Sequence, residues 1–152
     1  MSGSPEPARY RYTRDERLPV EVLVFRVDPD HLDEFLRLDH DIWTLGEAFH
    51  DPAAPIPFVS KEVWLDDSRP GEVTLVFVWE SMEAWRSVDT ETIQRSLQGR
   101  FDREFPHSAR LVRAVHEEHE WGIHRWSRFE RVEHGAIRLP VDRDHMEGWP
   151  DE

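Results

Sequence analysis

The hydrophobic positions along the chain change period several times, and each change predicts an element. Val20 to Val27 is dense in β-branched and aromatic residues, the pattern of a half or fully buried strand. Asp28-Pro29 then carries a helix-start signal, with Asp28 as cap, Pro29 at the first helical position, and Asp30, Asp33 and Glu34 near the positive end of the helix dipole. The pattern predicts a helix from Pro29 to about His50. Pro52, Pro55 and Pro57 prevent its continuation and lead into a second strand, Phe58 to Leu65. Asp66-Asp67-Ser68-Arg69-Pro70-Gly71 is a polar turn whose Pro and Gly punctuate a hairpin, and the third strand runs from Glu72 to Glu80. Ser81 offers the cap of a second helix from Met82 to about Glu104, broken near Asp89, with Met82, Trp85, Ile93 and Leu97 as its apolar stripe. A last strand is expected within Ser108 to Ile123. Residues 1–17, rich in Pro, Ser, Arg and Glu, read as a flexible arm, 18–123 as the domain, and 124–152 as a C-terminal extension without an assigned element.

The order β-α-β-β-α-β predicts an α+β, ferredoxin-like fold: an antiparallel sheet with two helices on one face. Several strands are apolar on both sides, so the uncovered face needs a partner, and a second copy closing two sheets into a dimeric α+β barrel is the expected solution. The formal charge of −13, from 32 acidic against 19 basic residues, with the basic residues scattered, argues against nucleic acid and against an anionic membrane surface. The absence of cysteine removes disulfides and a thiol nucleophile together and suits a reducing compartment. No apolar run approaches the roughly 18 residues of a membrane span, and the N-terminus lacks a signal-peptide core; a cytoplasmic protein is expected.

Polar residues within apolar stripes are the candidates for chemistry. At about 100° per residue, the inward stripe of the first helix collects Leu32, Phe35, Leu36, Asp39, Trp43, Gly46 and His50. Asp39 stands in that stripe, and a carboxylate there either meets a cationic partner or has its ionisation disfavoured, the second case giving a general base. His40, at the stripe's edge, is a neighbouring acid or base or a solvent-facing residue. Lys61 and Glu62 put one charge on each face of the second strand, with Trp64 on the side of Glu62; parity alone leaves open which of the two faces the interior. On the last strand Arg113 is a natural counter-ion for a buried carboxylate or an anionic substrate. His116 and its neighbours Glu118 and His119 allow a metal reading of weak spacing, against a solvated charged strand end. Seven Trp and eight Phe are a heavy aromatic load, and Trp43, Trp64, Trp79 and Trp85 sit on predicted elements. They suit either a small-molecule cavity or a packed dimer core.

The order of elements, together with Trp79-Glu80-Ser81-Met82-Glu83-Ala84-Trp85, resembles the antibiotic-biosynthesis-monooxygenase-like branch of the dimeric α+β barrel superfamily, and the chain is more similar still to a group of small bacterial proteins that share Asp41-Ile42-Trp43-Thr44, Lys61-Glu62-Val63-Trp64 and the Trp79 to Trp85 run. The resemblance spans roughly Val20 to Ile123. It implies the ferredoxin-like barrel and a range of activities that includes cofactor-free oxygenases, haem-degrading enzymes, isomerases and cyclases. Relatives acting on haem or quinols carry a His on the second helix; this chain has Val88 in that vicinity and no His in that helix, which speaks against haem degradation of that type.

Together these features predict a small-molecule enzyme acting on a flat or polycyclic organic substrate, as a cofactor-independent oxygenase or an acid-base isomerase or cyclase. Asp39, His40, Arg113 and His116 are the expected catalytic residues, and Trp43, His50, Glu62, Trp64, Trp79 and Trp85 the substrate-binding ones. No cofactor is expected. The alternatives are a non-catalytic ligand-binding or assembly module, and a metal-dependent enzyme using His116 with nearby His and Glu. The apolar second sheet face generates the first test: light scattering at micromolar concentration is expected to give the mass of a homodimer, and a monomer would contradict the barrel arrangement.

Overall fold

The first strand starts well before Val20. In the computed structural model, which describes residues 7–49, 56–88, 90–115 and 122–133, β1 runs from Arg9 to Val27. The segment read as a flexible arm is therefore strand from Arg9 onward. Its alternation Tyr10-Arg11-Tyr12-Thr13 has the two-residue period of a pleated ribbon, a signal masked by its charge-rich composition. The C-terminal extension likewise contains β5, His124–Glu133, which pairs with β1.

The chain divides into two compact units, Arg17–Arg125 and a smaller one made of Met1–Glu16 with Trp126–Glu152. Within the smaller unit Tyr10 stacks on Phe129 at 4.9 Å, and Arg11 pairs with Glu130 at 3.1 Å. Asp15 and Arg17 hold positive φ values of 61° and 52°, local departures from extended geometry inside β1.

The larger unit follows the expected order. A 3₁₀ turn, Pro29–His31, leads into α1, Leu32–Leu38; a π-helical stretch, Asp39–Thr44, and α2, Leu45–Phe49, continue the same helical passage. Asp28 caps it as its side chain accepts from the Asp30 N–H at 2.9 Å, with Pro29 at the first position. Then follow β2 (Phe58–Leu65), β3 (Glu72–Trp79), α3 (Met82–Arg86), α4 (Thr90–Glu104) and β4 (Ala109–Val115). Ser81 caps α3 through a 2.9 Å bond from the Ala84 N–H. The helices part between Arg86 and Thr90, and the recapping role considered for Asp89 lies outside the described residues.

The strands lie in the order β2-β3-β1-β4, and β1 pairs antiparallel with both β3 and β4. That order, with one helical passage between β1 and β2 and another between β3 and β4, is the ferredoxin-like arrangement. One sheet face carries Val27, Val73, Leu75, Phe77 and Trp79 against Phe35, Leu38 and Ile42 of the first passage and Leu97, Phe101 and Phe105 at and after α4. The opposite face carries Val20, Val76 and Val78, with Leu18 and Val22 beside them. Among the described residues no helix is long and apolar enough to cross a membrane.

The β2–β3 hairpin depends on Gly71. Its φ is +87°, and a Cβ added there would stand 2.2 Å from the Val27 carbonyl oxygen, while its own carbonyl accepts the Val27 N–H at 2.8 Å. Gly71→Ala is expected to destabilise by at least about 1–3 kcal/mol in urea unfolding. Gly99→Ala on α4, whose Cβ would meet only Arg103 at 3.6 Å, is expected to be neutral or stabilising by up to about 1 kcal/mol. Equal effects at the two glycines would refute this reading of the turn.

Candidate functional site

Between the helices and their sheet face lies a cavity of about 320 Å³. Its walls are aromatic: Trp43 from the π-helical stretch, Phe77 and Trp79 from β3, Trp85 from α3 and Phe101 from α4. Trp79 and Trp85 stack with parallel planes at 5.2 Å, which fixes a flat wall at the junction of β3 and α3. Four ionisable side chains reach into this apolar space: Glu21, Asp39, Glu47 and Lys61.

Lys61 and Asp39 form the anchor. The Lys61 ammonium donates to Asp39 Oδ2 at 2.8 Å and to Thr44 Oγ1, and both charged side chains are only 5% exposed. The same ammonium stands 5.4 Å from the Phe77 ring centre, a further favourable contact for a cation. Strand alternation decides the question left open by parity. Lys61 pairs with Phe77 in the ladder and faces the helices, so Glu62 and Trp64 face away. Trp64 is 53% exposed and its indole Nε1 donates to Glu62 at 3.2 Å. Neither belongs to the cavity, which corrects their expected role.

Two further carboxyl groups were not legible as candidates. Glu21 follows Val20 in an apolar run, yet its alternate neighbours Leu23 and Phe25 line the cavity, so the two-residue period was the available signal. Glu47 is hidden from an α-helical count. The stretch Asp39–Thr44 closes wider turns, with the Leu45 N–H reaching back to the His40 carbonyl, so more residues are used per revolution than the 3.6 of an α-helix. This rotates Glu47 onto the face of Asp39 and Trp43. Gly46, expected on the inward stripe, instead packs on Leu97 of α4, where a Cβ would come within 2.5 Å of Leu97 Cδ2.

Burial pushes the Glu47 carboxyl up to about 7; Lys61 opposes that shift and Asp39 adds to it. Burial likewise pushes Glu21 up to about 7, with the nearby Glu47 charge acting in the same direction and the Trp79 indole N–H in the opposite one. Among the described residues, the buried Trp79 Nε1 meets no acceptor at strict hydrogen-bonding geometry. Glu21 and Glu47 thus form an interacting pair whose protonation steps belong to both.

The remaining expected residues fall elsewhere. His40 is half-buried and does not line the cavity. Arg113 is exposed on β4, opposite Val24. An uninterrupted ladder continuing from the Phe25–Leu111 pair would set residue 113 against Leu23 on the helix-covered face; the irregularity between Val24 and Phe25 turns it to the other face. His50, His116, Glu118 and His119 lie outside the described residues.

No protein family profile matches the chain, and no curated protein does. Solved structures do. A Bacteroides thetaiotaomicron protein provisionally assigned as an antibiotic biosynthesis monooxygenase is similar at 11% identity and a TM-score of 0.45, over 83% of this chain and 99% of that one. A Caulobacter crescentus protein with the same provisional assignment is 10% identical, with a TM-score of 0.43 over 79% of this chain and 93% of that one. A dimeric ferredoxin-like protein from an uncultured marine organism is 14% identical, with a TM-score of 0.44 over 82% and 96%. These are the kinds of protein that the sequence resembles. At such identities the likeness concerns the fold alone, which here rests on the chain's own strand order.

Removing Lys61 strands a buried carboxylate, so Lys61→Met is expected to lose about 3–5 kcal/mol, and the double variant Lys61→Met with Asp39→Leu to recover much of it, as read by urea unfolding. Folded Glu21 and Glu47 bind protons more tightly than in the unfolded chain, where the ordinary value is 4.5. Their contribution to stability is therefore complete below about pH 4.5 and is lost as pH rises through about 7. Glu47→Gln is expected to raise the unfolding free energy read by urea at pH 8, by on the order of 2 kcal/mol, with a smaller gain or none at pH 5. A gain independent of pH would contradict the assignment.

Proposed function

We propose that this protein is a small-molecule enzyme that binds a flat organic substrate between the aromatic walls and moves a proton within the cavity. The observation that carries this reading is the juxtaposition of Glu21 and Glu47, two half-buried carboxyl groups whose pKa values are both raised to about 7, beside the Lys61–Asp39 pair. A carboxylate with a raised pKa is a stronger base than one in water and stays partly ionised at pH 7, the compromise that general-base catalysis requires. Glu47 takes the base role because it adjoins both Glu21 and the ion pair. Asp39, expected to be the base, instead holds Lys61 in place. Of the three hydrogens on the Lys61 ammonium, two bind Asp39 and Thr44, leaving one to donate to a substrate oxygen as negative charge develops on it.

The reaction class is proton abstraction from a carbon or oxygen acid conjugated to a carbonyl. Returning the proton elsewhere isomerises or cyclises the substrate, and Glu21 is placed to relay it. Reaction of the resulting anion with dioxygen would give the cofactor-independent oxygenase outcome. The proposed working form is a cytoplasmic homodimer.

Proton abstraction has a readout that needs no natural substrate. Enolisable bicyclic aryl ketones in D₂O, followed by proton NMR, are expected to exchange their acidic C–H for deuterium faster with the protein than in buffer, along a pH profile rising through about 7. Glu47→Gln is expected to lower that acceleration by about 10²-fold or more. An unchanged rate in this variant would remove Glu47 from the mechanism, and wild-type protein without acceleration across the panel would count against the reaction class.

A further inference from the structure

Away from the cavity, His31, Glu34 and His107 present one ligand atom each, all within 4.8 Å of one another. We propose that they form a binding site for one divalent transition-metal cation, zinc foremost, which clips the start of the first helix to the loop between α4 and β4.

Local structure explains how the three meet. His31 closes the 3₁₀ turn and Glu34 lies in the first turn of α1, so their three-residue spacing puts both on one face of the helical passage. His107 comes from the loop that joins α4 to β4. It is positioned by Phe105, whose buried ring meets the imidazole edge-on at 5.1 Å and packs on Phe35 at 5.7 Å. Phe35 also lines the cavity, whereas none of the three ligand residues does. The site is thus separate from the proposed catalytic centre.

The donor chemistry fits the ion. Two imidazoles and one carboxylate form a set that holds zinc with a position left for water. The His31 and His107 rings stack face to face, 3.5 Å apart and 7° from parallel. His107 Nε2 is 3.7 Å from Glu34 Oε2, longer than a good hydrogen bond, so this contact leaves a lone pair on each group for a metal ion. The side chains of His107 and Glu34 are 32% and 38% exposed, which gives the ion a route in and a water-facing position. One ion cannot lie in both ring planes while the imidazoles are stacked. Binding therefore requires one ring to rotate out of the stack toward Glu34, a side-chain motion that the exposed rim permits.

Tag-free, full-length protein dialysed against Zn(II) and examined by native mass spectrometry is expected to carry one metal ion per chain, with Co(II) giving visible absorption bands of a low-coordinate nitrogen and oxygen site. His31→Ala and His107→Ala are each expected to abolish that equivalent. Glu34→Gln is expected to weaken binding by at least the roughly tenfold that losing even an outer partner of a metal ligand produces. Wild-type protein without bound metal, or variants that retain it at wild-type affinity, would overturn the proposal; retention would move any metal to other histidines of the chain. Should the variants fail to fold, imidazole NMR of the wild type decides the matter: zinc must shift the His31 and His107 resonances first, and shifts confined to other histidines would refute the site.

Discussion

The buried contact between Lys61 and Asp39 is the constraint on which the cavity depends. It joins an edge strand, β2, to the π-helical stretch of the first helical passage, and it does so with both charges out of water. Desolvating two ions is unfavourable unless they meet at bonding distance with further polar support, which Thr44 supplies to the ammonium. A nonpolar pair of similar volume would satisfy the fold at less expense. The ion pair instead fixes a cation beside Glu47, whose carboxyl an apolar cavity would otherwise keep protonated to higher pH.

The π-helical stretch and the ion pair belong to the same design. The wide turns begin at Asp39, which lines the cavity, and carry Trp43 and then Glu47 onto one face. A regular α-helix would present Gly46 there and leave the second carboxyl outside. Local departures of this kind are less favourable than the regular ladder and persist where surrounding packing holds them; Ile42, within the stretch and fully buried, provides that packing.

The order of elements was legible because each boundary has its own chemistry: Asp28-Pro29 and Ser81 start helices, and Pro70-Gly71 closes a hairpin. Part of the cavity was legible for the same reason, since the helical period placed Asp39 and Trp43 together and the Trp79 to Trp85 junction is local. What failed to show depended on geometry that changes a period or on contacts far apart in sequence. The π-helical stretch hid Glu47, and the irregularity in the β1–β4 ladder turned Arg113 away from the helices. The meeting of His31 and Glu34 with His107 joins residues about half the chain apart, which no single-sequence period encodes. The strands at Arg9–Glu16 and beyond Trp126 were obscured by composition, because charged residues alternate there with Tyr10, Tyr12, Trp126, Phe129 and Val132, all of them exposed.

The proposed chemistry requires two carboxyl groups in this cavity to exchange a proton near neutral pH. Carboxyl ¹³C NMR of glutamate-labelled protein, with Glu21→Gln and Glu47→Gln to assign the resonances, measures it directly. Two coupled titrations centred near 7 are expected, each moving to lower pH when its partner is replaced by glutamine. Both resonances titrating near 4.5, the value of an ordinary glutamate, would contradict it.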